Sequence, residues 1–210
     1  MNNSVKPYVV KIPFYIPYLF PKRLWHFSRK HKIVYLTFDD GPIPQVTPWV
    51  LDQLKKYNAK ATFFCIGNNI QKHPALFAQL KAEGHHVGNH TFNHVNASKT
   101  SFNEYMENTK KAEVFFNHPL LFRPPYGKLD TKKAEALLEK KYQIVMWDVL
   151  SADFDPTITP EKCLNNVIEN AKNGSVIIFH DSLKAEKNLR VALPEVLRHF
   201  SEKGYTFKAI

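Results

Sequence analysis

From residue 33 to the C-terminus, short apolar runs alternate with segments of helical periodicity, and no linker or low-complexity stretch interrupts them. That alternation restricts the chain to β/α units around a largely parallel sheet. Seven runs, 33–38, 61–66, 85–89, 120–123, 143–148, 175–180 and 205–209, read as strands because they are short and rich in β-branched or aromatic residues. Helix boundaries are written between them. Thr47-Pro48 and Thr159-Pro160 each place a capping hydroxyl before a proline at the first helical position, and Ser101 with Glu104 forms a capping box. Gly84 and Gly174 stand where a left-handed C-terminal cap is wanted. The stripes Val50/Leu51/Leu54/Tyr57, Leu76/Phe77/Leu80 and Leu164/Val167/Ile168 are core-facing.

Such a chain can form an open doubly wound sheet or a closed barrel. Polar residues gather at the C-terminal end of nearly every predicted strand, and only a barrel brings those ends to one mouth. The expected fold is therefore α/β, a distorted (β/α) barrel of about seven strands. Residues 33–210 form its single domain, and residues 1–32 form an N-terminal arm packed on or flanking it.

Composition limits the partners. With 44% hydrophobic and 23% charged residues, the chain is neither disordered nor a coiled coil. Its net charge of +10 raises nucleic acid, anionic lipid or an acidic polymer as partners. The basic residues are dispersed, apart from Lys22, Arg23, Arg29, Lys30 and Lys32, so a solubilising surface is the simpler account and no nucleic-acid partner is expected. Cys65 and Cys163 lie in apolar segments without metal spacing and read as buried small hydrophobes. No apolar run is long enough to span a membrane. The stretch 8–20 is aromatic but broken by Pro13 and Pro17, with Pro21 just beyond, and makes a poor signal peptide. It reads as the packed arm, with weak membrane-surface contact through Phe14, Tyr15, Tyr18 and Phe20 as the alternative. Location is expected to be cytoplasmic or membrane-peripheral.

Chemistry concentrates at the strand ends. Asp39 and Asp40 follow the first strand, and a cation is the natural way to keep adjacent carboxylates ionised, although Asp-Gly-Pro is also good turn chemistry. His90 and His94 share a face if their segment makes a helical turn, the geometry by which two imidazoles reach one metal. Two histidines and a carboxylate leave a coordination position open for water. Arg123 opens Arg-Pro-Pro-Tyr-Gly and needs a carboxylate partner, with Asp39 one candidate. Trp147-Asp148 is expected to end the fifth strand, with Asp153 and Asp155 just beyond; His180-Asp181 ends the sixth. His180 is either a satisfied buried histidine or a general acid or base.

The motifs TFDDGP (37–42), HTFNH (90–94), RPPYG (123–127), WDVLSADF (147–154) and IIFHD (177–181) occur in an order that resembles the polysaccharide deacetylases with the NodB homology domain, carbohydrate esterase family 4. The resemblance covers the chain from about residue 33 onward. It implies a distorted (β/α) barrel and one divalent metal, zinc with cobalt or manganese as alternatives. It also implies removal of N-acetyl, sometimes O-acetyl, groups from chitin, peptidoglycan, related amino-sugar polymers or xylan.

Carried over motif by motif, the resemblance makes Asp40, His90 and His94 metal ligands, Asp39 the general base and His180 the general acid. Arg123 would orient Asp39, and Asp153 would hold His180 or join the Arg123 network. The Tyr126 backbone N–H would help bind the oxyanion, and Pro125, Tyr126, Phe154 and Ile178 would line the substrate pocket. Phe154 stands where many relatives carry tryptophan, keeping the apolar wall but losing an indole N–H. The expected activity is N-deacetylation of an acetylated amino-sugar glycan by a monomeric enzyme. An O-acetyl esterase is the runner-up and a catalytically silent glycan-binding protein the third option, one that the complete ionisable set argues against.

Overall fold

The structure is a computed structural model and describes residues 8–210, so the first seven residues of the expected arm lie outside the described residues. Its sheet contains β1 (Ile33–Asp39), β2 (Ala61–Cys65), β3 (His86–Asn89), β4 (Leu120–Phe122), β5 (Tyr142–Ile144), β6 (Val149–Leu150), β7 (Val176–His180) and β8 (Thr206–Phe207). The helices are α1 (Ile16–Leu19), α2 (Thr47–Lys56), α3 (Gly67–Lys72), α4 (Pro74–Ala82), α5 (Phe102–Glu113), α6 (Thr131–Glu139), α7 (Pro160–Ile168) and α8 (Glu186–Glu202). All pairings in the order β5-β4-β3-β2-β1-β7-β6 are parallel, and β8 pairs with the first residues of β1. This is the curled, barrel-like parallel sheet that the strand-end argument anticipates.

The expected strand 143–148 divides in two. Val145 still donates to Phe122 of β4, whereas Asp148 already donates to Val176 of β7. One extended stretch therefore changes partner midway and carries the sheet round. Its outward edges are covered by the N-terminal arm. Leu24 accepts from Met146 and donates to Ile144, while Val10 accepts from Leu150 and Ile12 donates to Asp148. Backbone groups that would otherwise form a bare sheet edge are thereby satisfied.

Period-two alternation sorts the central strand. Leu36 and Phe38 face the helices, where Phe38 stacks on Phe63 and Phe179 in the main core. Thr37 and Asp39 point to the opposite face, the barrel interior. There Phe64, Leu121 and Val145 form a small separate cluster, and Leu150, Ala152 and Ile178 form another. Ser101 and Thr159 cap α5 and α7 as expected, accepting from Glu104 and Lys162. Thr47 does not cap α2. The helix begins at Thr47 itself, whose hydroxyl instead donates to Asp181 at 2.6 Å. Among the described residues, no helix is long and apolar enough to cross a membrane.

Candidate active site

The turn after β1 sends two neighbouring carboxylates in different directions. Asp39 ends the strand and points inward, while Asp40 has φ of 82°, a strained value for a residue with a side chain. The next residue explains why glycine follows. A Cβ on Gly41 would lie 2.0 Å from Asp181 Oδ2, and the Gly41 N–H donates to Asp181 Oδ1 at 3.1 Å. Asp181 is fully buried and pushed up to about 8, burial being the main cause, with Asp40 adding to it against hydrogen bonds from Thr47 and Gly41. The sequence marks Asp181 only as a strand-end carboxylate; its grip on this turn depends on the fold.

His90 and His94 do converge, but not on a helix. Thr91 and His94 both have positive φ, and the loop is held by side chains: Asn89 Oδ1 accepts from Thr91 N, and Asn108 Oδ1 accepts from Phe92 N and Asn93 N. The helical-turn geometry is thus replaced by a looped one, and the loop's two asparagine staples give no motif signal. His90 Nδ1 donates to the Arg123 carbonyl at 2.8 Å, which fixes the tautomer and leaves the Nε2 lone pair outward. Burial above all, with the neighbouring His90 ring second, lowers His94 to about 4, so its imidazole is neutral at ordinary pH.

Asp40 Oδ1 lies 3.3 Å from His94 Nε2 and 3.8 Å from His90 Nε2, and the three ligand atoms fall within 4.8 Å of one another. An ion held at about 2.1 Å by three tetrahedral ligands needs them about 3.4 Å apart. Asp40 Oδ1 is buried without a hydrogen-bond partner, an expensive condition for a carboxylate oxygen unless a cation faces it. The donor set therefore fits one divalent metal with neutral imidazole ligands.

Below this cluster, Arg123 is 1% exposed and fully engaged. Nη1 donates to Thr37 Oγ1 at 2.7 Å and to Asp39 Oδ1 at 2.8 Å, Nε to Val145 O, and Nη2 to Met146 O. The guanidinium also lies 4.1 Å from the centre of the Phe64 ring. Burial alone would raise the Asp39 carboxyl. The charge of Arg123 above all, with its hydrogen bond and the nearby His180, overcomes it and holds Asp39 below the usual carboxylate range. Thr37, two residues before Asp39 on the same face, completes this anchor.

His180 is the register partner of Asp39 on β7. Its Nδ1 donates to Asp153 Oδ1 at 2.8 Å and its backbone N–H to Asp153 Oδ2 at 2.7 Å. Burial pulls His180 down, yet Asp153, aided by Asp40 and Asp39, raises it to about 9. Of the two places considered for Asp153, it takes the one beside His180.

Aromatic walls stand on either side. The Tyr126 ring is 61% exposed and lies 4.6 Å from the His94 ring, whereas Pro125 is buried beneath it. Gly127 has φ of 63°, and a Cβ there would strike Trp147 at 2.3 Å, so that turn requires glycine. Opposite, Phe154 presents its edge to His180 at 5.0 Å and packs in the cluster containing Ile178. Tyr8 of the arm packs against Phe154 at 5.9 Å, an extension of the wall that no sequence motif announces.

Two expected strand-end aspartates lie outside this group. Asp148 stands at the start of β6, not the end of a strand, and is bound by Lys11 at 2.8 Å, Arg29 at 2.9 Å and Ser175 at 2.5 Å. Asp155 accepts from Thr157 N and Oγ1 in a turn.

Comparison with known proteins gives the family and the fold. Residues 27–145 match the sequence pattern of the family described as polysaccharide deacetylase. A peptidoglycan-N-acetylglucosamine deacetylase of Bacillus cereus is 38% identical over 193 residues, covering 89% of this chain and 90% of that one. A chitooligosaccharide deacetylase of Azorhizobium caulinodans is 36% identical over 161 residues, 73% of this chain and 76% of that one. Among solved structures, a peptidoglycan N-acetylglucosamine deacetylase in complex with 4-naphthalen-1-yl-N-oxidanyl-benzamide superposes with a TM-score of 0.85 at 32% identity, covering 94% of each chain. The five motifs, the curled parallel sheet and these matches converge: the chain belongs to the polysaccharide deacetylase family, with the NodB homology of carbohydrate esterase family 4.

Proposed function

We propose that this protein hydrolyses the N-acetyl group of N-acetylglucosamine units in a glycan, using one divalent metal, zinc in the first instance. The observation that carries the proposal is the pairing of the Asp40/His90/His94 cluster with an anchored carboxylate and a cationic imidazole on neighbouring strands. Relatives named for peptidoglycan and for chitooligosaccharides share N-acetylglucosamine as their sugar unit. The superposed deacetylase is in complex with an N-hydroxyamide, a chemical class able to chelate a metal ion through two oxygens, which supports a metal-dependent reading.

When bound, the metal would supply Lewis acidity to the attacking water and the amide carbonyl. Asp40, His90 and His94 would hold it. Asp39 accepts a proton from the attacking water, and Arg123 keeps that carboxylate ionised and aimed. The Tyr126 backbone N–H donates to the carbonyl oxygen as negative charge develops on it. His180 donates a proton to the departing nitrogen, without which an amine leaves poorly. Water adds to the carbonyl carbon, the C–N bond breaks, and acetate and a free amine result. Phe154 and Ile178 form the apolar wall beside the acetyl methyl, with Tyr126 across the cleft.

An imidazole raised to about 9 favours the amide over the ester reading, because an alkoxide needs less help from an acid than an amine does. The protein acts as a monomer. The test compares acetate release from chitooligosaccharides, peptidoglycan fragments and acetylated xylan by zinc-loaded protein. Faster release from the amino-sugar substrates is expected. Release from xylan alone, or none from any substrate by protein that demonstrably holds metal, rejects the proposal.

A further inference from the structure

The arm leaves the body between two anchored points. Lys11 bridges Val149 on one side and Leu24 bridges Val145 on the other. Between them the chain makes the single-turn helix α1, with no fully buried residue. Ile12 and Ile16 turn onto the core, and Phe14, Tyr18 and Leu19 project outward at 84, 80 and 65% exposure. Six of the ten exposed large apolar side chains among the described residues lie between Val9 and Phe20, so these exposures are clustered rather than scattered. Pinned ends prevent the excursion from folding them away.

Charge sorts to the same place. No acidic residue precedes Asp39, while Lys6, Lys11, Lys22, Arg23, Arg29, Lys30 and Lys32 all do; these seven cations match most of the chain's net +10. Beneath the aromatic excursion is a cavity of about 650 Å³ lined by Lys11, Arg23, Arg29 and Lys172, with Asp148 its one carboxylate. Lys22 and Lys30, each next in sequence to a lining arginine, are exposed. Projecting aromatic and leucyl side chains beside a predominantly basic lining, in which Asp148 pairs with Lys11 and Arg29 and leaves Arg23 and Lys172 in excess, match an anionic lipid interface, where rings enter the headgroup region and cations meet phosphate.

We infer that residues 13–21 and the surrounding lysines and arginines form a docking surface for an anionic phospholipid bilayer. Placement allows catalysis while docked. Arg29 donates to Ser175 just before β7, whereas His180 ends that strand, so about 16 Å of strand separates the basic cavity from the mouth. A membrane on the arm leaves the mouth open.

The test is co-sedimentation of the full chain with vesicles of phosphatidylcholine alone or with about 30% phosphatidylglycerol, at low and high salt. Binding to the anionic vesicles, weakened by salt, is expected. The triple variant F14S/Y18S/L19S and the charge reversal K22E/K30E should each weaken it at least about tenfold, with acetate release from a soluble substrate and melting temperature unchanged. Failure to bind anionic vesicles overturns the inference. So does binding by the triple variant equal to the parent's, which makes the attraction charge alone. Sedimentation equilibrium showing a dimer lost in the triple variant, without vesicle binding, reassigns the patch to a second copy of the chain.

Discussion

Asp39 and His180 are register partners on adjacent parallel strands, so the carboxylate beside Arg123 and the imidazole beside Asp153 project from the same face of the sheet. Each is held by its own buried partner of opposite charge. Arg123 lowers the one and Asp153 raises the other, which keeps a proton acceptor and a proton donor side by side at neutral pH.

Replacing Asp153 by Asn should weaken the acid by removing its counter-charge. The one amide oxygen can accept from His180 Nδ1 but no longer from the backbone N–H as well, and the charge that raises the imidazole to about 9 is gone. Burial then pulls its pKa to about 6.5 or below. Activity that needs the protonated form persists below the folded-state pKa and falls above it. The basic limb of kcat/KM against pH should therefore move from about 9 to about 6.5 or lower, with a loss of about 30-fold at pH 8 and little at pH 5.5. A variant whose basic limb stays in place removes His180 from the acid role.

Arg123 tests the anchor. Arg123→Met takes from buried Asp39 its hydrogen-bonded counter-charge and from Thr37 one of its partners, a change of about 3–5 kcal/mol. At this chain length that corresponds to a fall in Tm of about 10 °C. Arg123→Lys should recover only part of it, since one ammonium cannot reach four acceptors in a planar fork. Asp39→Asn keeps a hydrogen-bond acceptor beside the guanidinium and should fold, while losing at least about 100-fold in acetate release. Thermal melts and turnover on the same preparations distinguish the two effects.

Metal binding should register without any assay of turnover. Zinc at about 100 times its Kd should stabilise the parent by about 2.7 kcal/mol, read as a rise in melting temperature that a chelator reverses. His94→Ala and Asp40→Asn each remove one of three ligands and should abolish that rise. Asp40→Asn should leave the metal-free protein about as stable as the parent, because the oxygen it alters has no hydrogen-bond partner there. A zinc-induced shift that survives both substitutions places the metal elsewhere.

Legibility followed chain locality. Strand-helix alternation and the capping residues at Ser101 and Thr159 are local, and the sequence discloses them. Asp39, Asp40, His90, Arg123 and His180 share a mouth because parallel strands end together, so the barrel argument is enough to assemble them. The looped path from His90 to His94 was not legible, because it depends on Asn108 reaching back from α5. Thr47 reads as a cap until the fold brings Asp181 to it. Asp148 sits beside motif residues in sequence, yet the change of pairing partner between β5 and β6 puts it at a strand start with Lys11 and Arg29.

The arm illustrates the same limit and supports a final prediction. The family pattern begins at residue 27, which makes the preceding segment look dispensable. Leu24 nevertheless supplies both backbone bonds to Ile144 and Met146, Val10 and Ile12 supply those to β6, and Trp25 is buried against the core. Starting the chain at residue 27 would expose the outward edges of β5 and β6 and leave Asp148 without Lys11. Unpaired edges recruit other chains. The truncated protein should be recovered mainly as aggregate, because the backbone bonds that Val10, Ile12 and Leu24 supply to the sheet are lost with it. A soluble, cooperatively melting chain from residue 27 onward would show that the sheet closes without the arm, and expression yield with a melting curve decides it.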